Sequence, residues 1–116
     1  MKQISQRLGV YRLTGEVLWY HRIQSGKAKV GSYYIKLAEE GTPDWIALIR
    51  GREEQIVCLF LEAKSDNGIV RDTQKTFMSK YGIKKDIHIM VIRDIKQLDT
   101  WVDTYAKDFV SSIGTI

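Results

Sequence analysis

The pattern of apolar and polar positions along the 116-residue chain predicts helices and short strands in alternation. Apolar residues recur every three or four positions in the predicted helices, and they alternate or run together in the predicted strands. The helices are predicted at 2–13, at 72–81 and from residue 94 onward. The strands are predicted at 16–23, 33–37, 45–49, 56–61 and 86–92. This order indicates an α/β domain with a mixed β-sheet flanked by α-helices.

Capping residues predict where the helices begin and end, and apolar stripes predict which faces they bury. Gly82 follows the second helix and predicts a left-handed cap, and Asp94 with Gln97 matches a capping box at the start of the third. The third helix should bury one apolar stripe and leave an acidic face in solvent. The predicted stripe of the first helix is Ile4, Leu8 and Tyr11. That of the third is Ile95, Leu98, Val102, Tyr105 and Phe109, opposite Asp99, Asp103 and Asp108.

The region between the first helix and residue 41 carries strand and loop signals. Alternation predicts that Val17, Trp19 and His21 share one face of the first strand, opposite Leu18 and Tyr20. The segment 24–30 mixes glycine and serine with lysine and predicts a flexible basic connection. Residues 33–37 predict a short strand or an edge ribbon.

Polar side chains interrupt the apolar pattern at the ends of two neighbouring strands. Asp44 follows a Gly-Thr-Pro turn and opens the strand 45–49, while Glu62 and Lys64 close the strand 56–61. The short connection between these strands predicts an antiparallel pair, so the start of the first should lie beside the end of the second. Because side chains alternate across a strand, Glu62 and Lys64 should share a face. Asp44 should then lie beside Glu62.

Two carboxylates at one strand end repel each other unless a cation lies between them, and such oxygen ligands suit Mg²⁺ or Mn²⁺. The alternative is that Asp44 only caps a turn and that Glu62 and Lys64 form an exposed ion pair. Three features favour the metal site: the Gly-Thr-Pro-Asp turn, the apolar strand that leads into Glu62, and Gln74 at the start of the next helix.

The residues Gly41-Thr42-Pro43-Asp44, Glu62-Ala63-Lys64 and Gln74, in this order, resemble the PD-(D/E)XK nuclease superfamily. Within it, the chain is most similar to the small stand-alone domains of the VRR-NUC family, the virus-type replication-repair nucleases. The resemblance covers nearly the whole chain. It implies a restriction-endonuclease-like core and the activity of a metal-dependent DNA endonuclease, a hydrolase of phosphodiester bonds.

The resemblance also implies a role for each site residue. Asp44, Glu62 and the backbone carbonyl of Ala63 would hold Mg²⁺ or Mn²⁺. Lys64 would position the attacking hydroxide and stabilise developing charge, and Gln74 would orient water or phosphate. Cleavage should leave a 5′-phosphate.

One departure from the family pattern keeps a rival function open. The family usually carries a further metal-site glutamate on the first helix, where this chain has Gln3 and Gln6, with Glu16 just beyond the helix. The number of metal ions therefore stays open. The rival is a catalytically inactive DNA-binding or assembly module on the same fold.

Charge is unevenly distributed along the chain. The whole chain has a net charge of +4, whereas residues 1–36 contain seven basic residues and one acidic residue, a net charge of +6. A basic region of this kind suits phosphate contacts, and ordinary solvated charge is the alternative. The predicted DNA contacts are Arg22, Ser25, Lys27 and Lys29.

Length and composition predict the number of domains and the cellular location. A chain of this length predicts one domain, 1–116. Cys58 is the single cysteine, no signal-peptide core is present and no apolar run would span a bilayer, so a cytoplasmic protein is expected. The resemblance implies branched DNA as partner and a homodimer, with aromatic residues available for its interface. These are Trp19, Tyr33, Tyr34 and Trp101.

Overall fold

A computed structural model describes residues 2–23, 27–36, 38–51, 53 and 55–105, with only the backbone described at residues 2, 27, 28 and 34–36. Three helices and six strands occupy these ranges. The helices are α1 (Lys2–Thr14), α2 (Asp72–Tyr81) and α3 (Ile95–Tyr105). The strands are β1 (Val17–Arg22), β2 (Lys27–Val30), β3 (Tyr33–Lys36), β4 (Trp45–Arg50), β5 (Ile56–Ala63) and β6 (Ile87–Ile92).

Four strands form a mixed sheet in the order β1-β4-β5-β6. β4 is antiparallel to β1 and to β5, whereas β5 and β6 are parallel. A parallel pair needs a crossover, and α2 lies within the connection from β5 to β6. The predicted α/β class with a mixed sheet and flanking helices is therefore confirmed.

The core lies between one face of the sheet and the helices α1 and α3. Alternate residues of β5 point into it, because a strand buries every second side chain. The fully buried residues of the core include Ile4, Leu8, Ala47, Ile49, Leu59, Leu61, Ile92 and Leu98. The predicted stripe of α1 is confirmed by this packing, and that of α3 is confirmed for Ile95, Leu98 and Val102. Tyr105 packs instead on His88 and Trp101, and Phe109 lies outside the described residues. On the opposite face of the sheet, Phe77 of α2 packs edge-on against Phe60 of β5, with ring centroids 5.4 Å apart.

Asp99 joins α1 to α3 instead of facing solvent. Its carboxylate accepts hydrogen bonds from Arg7 Nη1 at 2.8 Å and from the Tyr11 hydroxyl at 2.6 Å. The prediction of a solvated acidic face is wrong for Asp99, because a basic and a phenolic side chain of α1 lie opposite it. Asp103 is exposed as predicted, and Asp108 lies outside the described residues.

The ends of the helices α2 and α3 differ in how well they were predicted. The capping box of α3 is confirmed: Asp94 Oδ1 accepts from the Lys96 N–H at 2.9 Å, and Gln97 Oε1 accepts from the Asp94 N–H at 3.1 Å. Gly82 is not a left-handed cap, since its φ is −69°. A side chain there would place Cβ 2.6 Å from the Met78 carbonyl oxygen, so close approach explains this glycine.

A bulge changes the faces of β1. The register with β4 shifts between Val17 and Trp19, and an extra residue at a bulge breaks the strict alternation of faces. Val17 is consequently buried, at 1% exposure, while Trp19 is 42% exposed. The prediction that these two residues share a face is wrong.

β2 and β3 form a separate antiparallel ribbon, hereafter the β2–β3 ribbon. Val30 pairs with Tyr33 across a two-residue turn, in which Gly31 adopts a φ of +62° that favours glycine. The predicted flexible connection at 24–30 is therefore wrong for Lys27–Val30, and residues 24–26 lie outside the described ranges. The short strand or ribbon predicted at 33–37 is confirmed for Tyr33–Lys36. Of the described helices, none combines the length and the apolar character needed to cross a bilayer.

Candidate active site

The register of β4 and β5 brings Asp44 beside Glu62. Trp45 pairs with Leu61, so the next position along each strand sets Asp44 opposite Glu62. The Asp44 carbonyl accepts a hydrogen bond from the Ile23 N–H at 2.6 Å, on the side away from β5. Asp44 and Glu62 thus occupy a non-hydrogen-bonded position of the ladder, where side chains approach most closely. The predicted juxtaposition is confirmed.

Glu62 is the centre of the cluster and is only 7% exposed. Its Oε2 accepts from the Asp44 N–H at 3.1 Å, and its Oε1 accepts from Gln74 Nε2 at 2.7 Å. Lys64 Nζ lies 3.6 Å from the same Oε1. The four predicted catalytic residues, Asp44, Glu62, Lys64 and Gln74, are therefore brought together around one buried carboxylate.

Lys64 is held in place although β5 formally ends one residue earlier. Its N–H donates to the Ile92 carbonyl at 3.0 Å and so continues the pairing with β6. The turn that follows is fixed by Arg93, whose guanidinium donates to the carbonyls of Ser65 and Asp66. With a side chain only 15% exposed, Lys64 keeps its ammonium near Glu62 instead of extending into solvent.

Gln74, in the first turn of α2, is buried, at 3% exposure. Its Oε1 accepts from the Arg71 N–H at 2.9 Å, which leaves Nε2 directed at Glu62. On helical position alone Gln74 would be solvent-facing, and that interpretation is wrong because Gln74 links the first turn of α2 to the end of β5. One hydrogen of its amide group remains for another acceptor.

The Gly-Thr-Pro-Asp turn docks on α2 through Gly41. This residue has a φ of +84°, and a Cβ built on it would lie 2.0 Å from the Thr73 carbonyl oxygen. Just before the turn, the Glu39 carboxylate lies 3.5 Å from Lys80 Nζ near the end of α2. Close backbone contact at Gly41 therefore sets the spacing between Asp44 and Gln74, and this role of Gly41 was missed from the sequence.

Burial and neighbouring groups shift the pKa of Glu62 in both directions. The pKa of Glu62 is raised, first by burial and second by the negative charge of Asp44, while Lys64 and the two hydrogen bonds lower it. The hydrogen bond that joins Asp44 to Glu62 comes from the Asp44 backbone and not from its carboxylate. The two carboxylates lie close enough for the charge of Asp44 to raise the pKa of Glu62, and a cation between them would stabilise both.

The donor set fits a hard divalent cation. Asp44 and Glu62 supply two carboxylates, and Ala63 supplies a backbone carbonyl. The Lys64 N–H points to β6, so the Ala63 carbonyl, one residue earlier, points to the β4 side. There the opposing residue in the register is Pro43, which has no N–H to donate. Within the described part of the chain, no three His, Cys, Asp or Glu side chains form a metal-binding group. Mg²⁺ sites usually keep several waters beside one or two carboxylates.

The remaining predicted residues lie at different distances from this cluster. Arg22 is exposed and pairs with Trp45, next to Asp44. Lys27 and Lys29 are in the β2–β3 ribbon, and Ser25 is outside the described residues. Glu16 does not join the site, because its carbonyl accepts from the Arg50 N–H at the far end of β4. Gln3 and Gln6 are exposed on α1.

The raised pKa of Glu62 predicts a pH-dependent stability of the metal-free protein. An acid with a raised pKa binds its proton more tightly when folded, so stability falls as pH rises from the ordinary value of 4.5 through the raised pKa. Thermal unfolding in EDTA should show the wild type losing stability relative to Glu62→Gln over this window, and Mg²⁺ should restore it only in the wild type. Parallel curves for the two proteins at all pH values would contradict the assigned burial of charge.

Comparisons of the chain with protein-family models, with curated proteins and with solved structures find no match.

Proposed function

We propose that the chain is a metal-dependent endodeoxyribonuclease with a PD-(D/E)XK core of the VRR-NUC type. The observation that carries the proposal is the buried carboxylate of Glu62, which contacts the backbone of Asp44, the ammonium of Lys64 and the amide of Gln74. Burying acidic, basic and amide groups around one acid costs free energy of desolvation. A purely structural role would be served as well by apolar side chains.

The fold supports the same proposal. With the β2–β3 ribbon set aside, the order of elements is helix, strand, strand, strand, helix, strand, helix, which is the order that the resemblance implies. The motif residues lie at the ends of the two central strands and in the first turn of α2. They contact one another although up to thirty positions separate them in sequence, counting from Asp44 to Gln74.

In this proposal Asp44, Glu62 and the Ala63 carbonyl hold Mg²⁺ or Mn²⁺. The bound cation would polarise the scissile phosphate and lower the pKa of a coordinated water. Lys64 places its ammonium beside the reacting phosphate, where it stabilises the negative charge that develops and orients the attacking oxygen. Gln74 fixes the orientation of Glu62 through Nε2 and offers its second amide hydrogen to water or to a phosphate oxygen. In-line attack leaves a 5′-phosphate.

The proposed substrate is branched DNA, with four-way junctions preferred, and the proposed functional unit is a homodimer. One chain offers one site, whereas symmetric cleavage of a junction requires two sites related by a two-fold axis. Among the aromatic residues considered for the interface, Trp19 and Tyr33 are exposed. Trp101 instead stacks on Tyr105 at 4.4 Å and packs on the core, so the proposed interface uses Trp19 and Tyr33.

Cleavage of end-labelled junction, duplex and single-stranded DNA tests the function. With Mg²⁺ or Mn²⁺ the wild type should cut the junction faster than duplex of equal length, and EDTA should abolish cleavage. Sedimentation of the free protein should give twice the monomer mass. DNA binding that is indifferent to metal, with no cleavage of any substrate, would instead establish the inactive module. A monomer that cuts linear duplex as fast as the junction would remove the dimer and the branch preference only.

A further inference from the structure

The β2–β3 ribbon has one strongly basic face. Positions that pair across an antiparallel ladder share a face, and alternate positions along a strand do too. Lys27 pairs with Lys36, and Lys29 pairs with Tyr34. Three lysine positions and one tyrosine position therefore lie on one face of the ribbon. The opposite face carries Ala28, Val30, Tyr33 and Ile35.

The chain segment that contains the ribbon carries side-chain charge of a single sign. Residues 17–38 contain one arginine and three lysines and no aspartate or glutamate. The described tip is open to solvent: Lys29, Gly31 and Ser32 are exposed, Val30 is 55% exposed and Tyr33 is 77% exposed. A basic ribbon with an exposed tip is complementary to a polyanion, because each phosphate neutralised by lysine releases counterions.

Residues that flank the ribbon on both sides contact elements of the candidate active site. On its N-terminal side, the Ile23 N–H donates to the Asp44 carbonyl. On its C-terminal side, Glu39 contacts Lys80 of α2, and Gly41 packs against the backbone of Thr73. The described residues on both sides of the ribbon therefore lie near Asp44 or against α2.

We propose that the β2–β3 ribbon is an arm that lies in the major groove of the duplex beside the scissile phosphate. The major groove of B-DNA, about 12 Å wide, admits a two-stranded ribbon. Each strand of the ribbon has four residues, or about 13 Å at the usual rise. This is enough to bring lysines to the phosphates that border the groove. The inference rests on the proposed function in that it names the substrate element held next to the site.

Binding to duplex DNA in EDTA, where no cleavage occurs, tests the arm separately from catalysis. Two short duplexes of one sequence are compared by fluorescence anisotropy, one plain and one whose cytosines carry glucosylated hydroxymethyl groups that fill the major groove. The wild type should bind the filled duplex about tenfold more weakly, and single strands more weakly than plain duplex. Equal affinity for the plain and filled duplexes would overturn the proposal, even if the ribbon variants failed to fold.

A charge-matched pair of variants identifies the ribbon as the source of this preference. Lys29→Gln/Lys36→Gln should lose most of the discrimination between the two duplexes and should reduce the slope of log K against log salt by about 1.8. Lys84→Gln/Lys85→Gln removes two exposed lysines from the loop before β6 and should behave as wild type. Identical binding by the two variants would contradict the proposal. So would a ribbon variant that changes only the sedimentation of DNA-free protein, since that result would assign the ribbon to contact between copies.

Cleavage assays on the same proteins keep the two proposals distinguishable. If the ribbon does not contact DNA but the nuclease assignment is right, Lys29→Gln/Lys36→Gln should cut a saturating plain duplex in Mg²⁺ like the wild type, without any difference in its affinity. If the nuclease assignment fails and the ribbon is an arm, no protein should cut DNA, and the groove preference should persist in the wild type.

Discussion

Lys64→Met is expected to lower the rate of metal-dependent DNA cleavage by about 10²- to 10³-fold, the usual range for removing one group that stabilises developing charge. Lys64 Nζ lies 3.6 Å from Glu62 Oε1 and is mostly buried. Methionine fills similar space without the charge. The measurement is single-turnover cleavage of a labelled junction at saturating Mn²⁺.

Lys84→Met provides the matched control, because Lys84 is exposed in the loop before β6. It should cleave at the wild-type rate, and circular dichroism should show the wild-type fold for both variants. A folded Lys64→Met protein with near wild-type cleavage would show that the reacting phosphate lies elsewhere.

Gly41→Ala is expected to destabilise the protein by at least about 2 kcal/mol, because it introduces strain at a positive φ and a backbone clash together. The added Cβ would lie 2.0 Å from the Thr73 carbonyl oxygen and 2.8 Å from the Gln74 nitrogen. The turn and the first turn of α2 must then separate. Because they position Asp44 and Gln74, we expect metal affinity to fall along with stability.

Chemical denaturation of Gly41→Ala beside Gly15→Ala measures this effect. Gly15 also has a positive φ, of +94°, but a Cβ there meets no atom within 4 Å. Gly15→Ala therefore reports the cost of the backbone conformation alone, and the excess loss in Gly41→Ala reports the contact with α2. Equal losses in the two variants would remove the proposed contribution of this contact.

Much of the candidate site follows from local sequence signals. The turn before Asp44, the apolar runs on both sides and the short connection between them were enough to predict the antiparallel pair that sets Asp44 beside Glu62. Strand alternation was enough to place Lys64 on the same face as Glu62. These relations depend on the geometry of one hairpin, which involves only neighbouring parts of the chain.

Relations between distant elements were not predictable in this way. The burial of Gln74 depends on how α2 lies across the end of β5, and the contacts of Asp99 depend on how α3 packs beside α1. The β2–β3 ribbon was missed over Lys27–Val30, because lysine and glycine resemble a loop until the turn at Gly31 pairs the two halves. The bulge in β1 leaves no signal in the alternation, so the position of Val17 in the core required the structure.

Asp44 and Glu62 are proposed to hold the divalent cation on which cleavage depends. Electron paramagnetic resonance of Mn²⁺ titrated into the DNA-free protein tests it most directly, since bound and free Mn²⁺ give different signals. The wild type is predicted to bind Mn²⁺, and Asp44→Asn and Glu62→Gln are each predicted to lose most of that binding while keeping the wild-type fold. The exposed pair Asp72→Asn and Glu40→Gln should bind as the wild type does. Undiminished Mn²⁺ binding by folded Asp44→Asn and Glu62→Gln would contradict the claim.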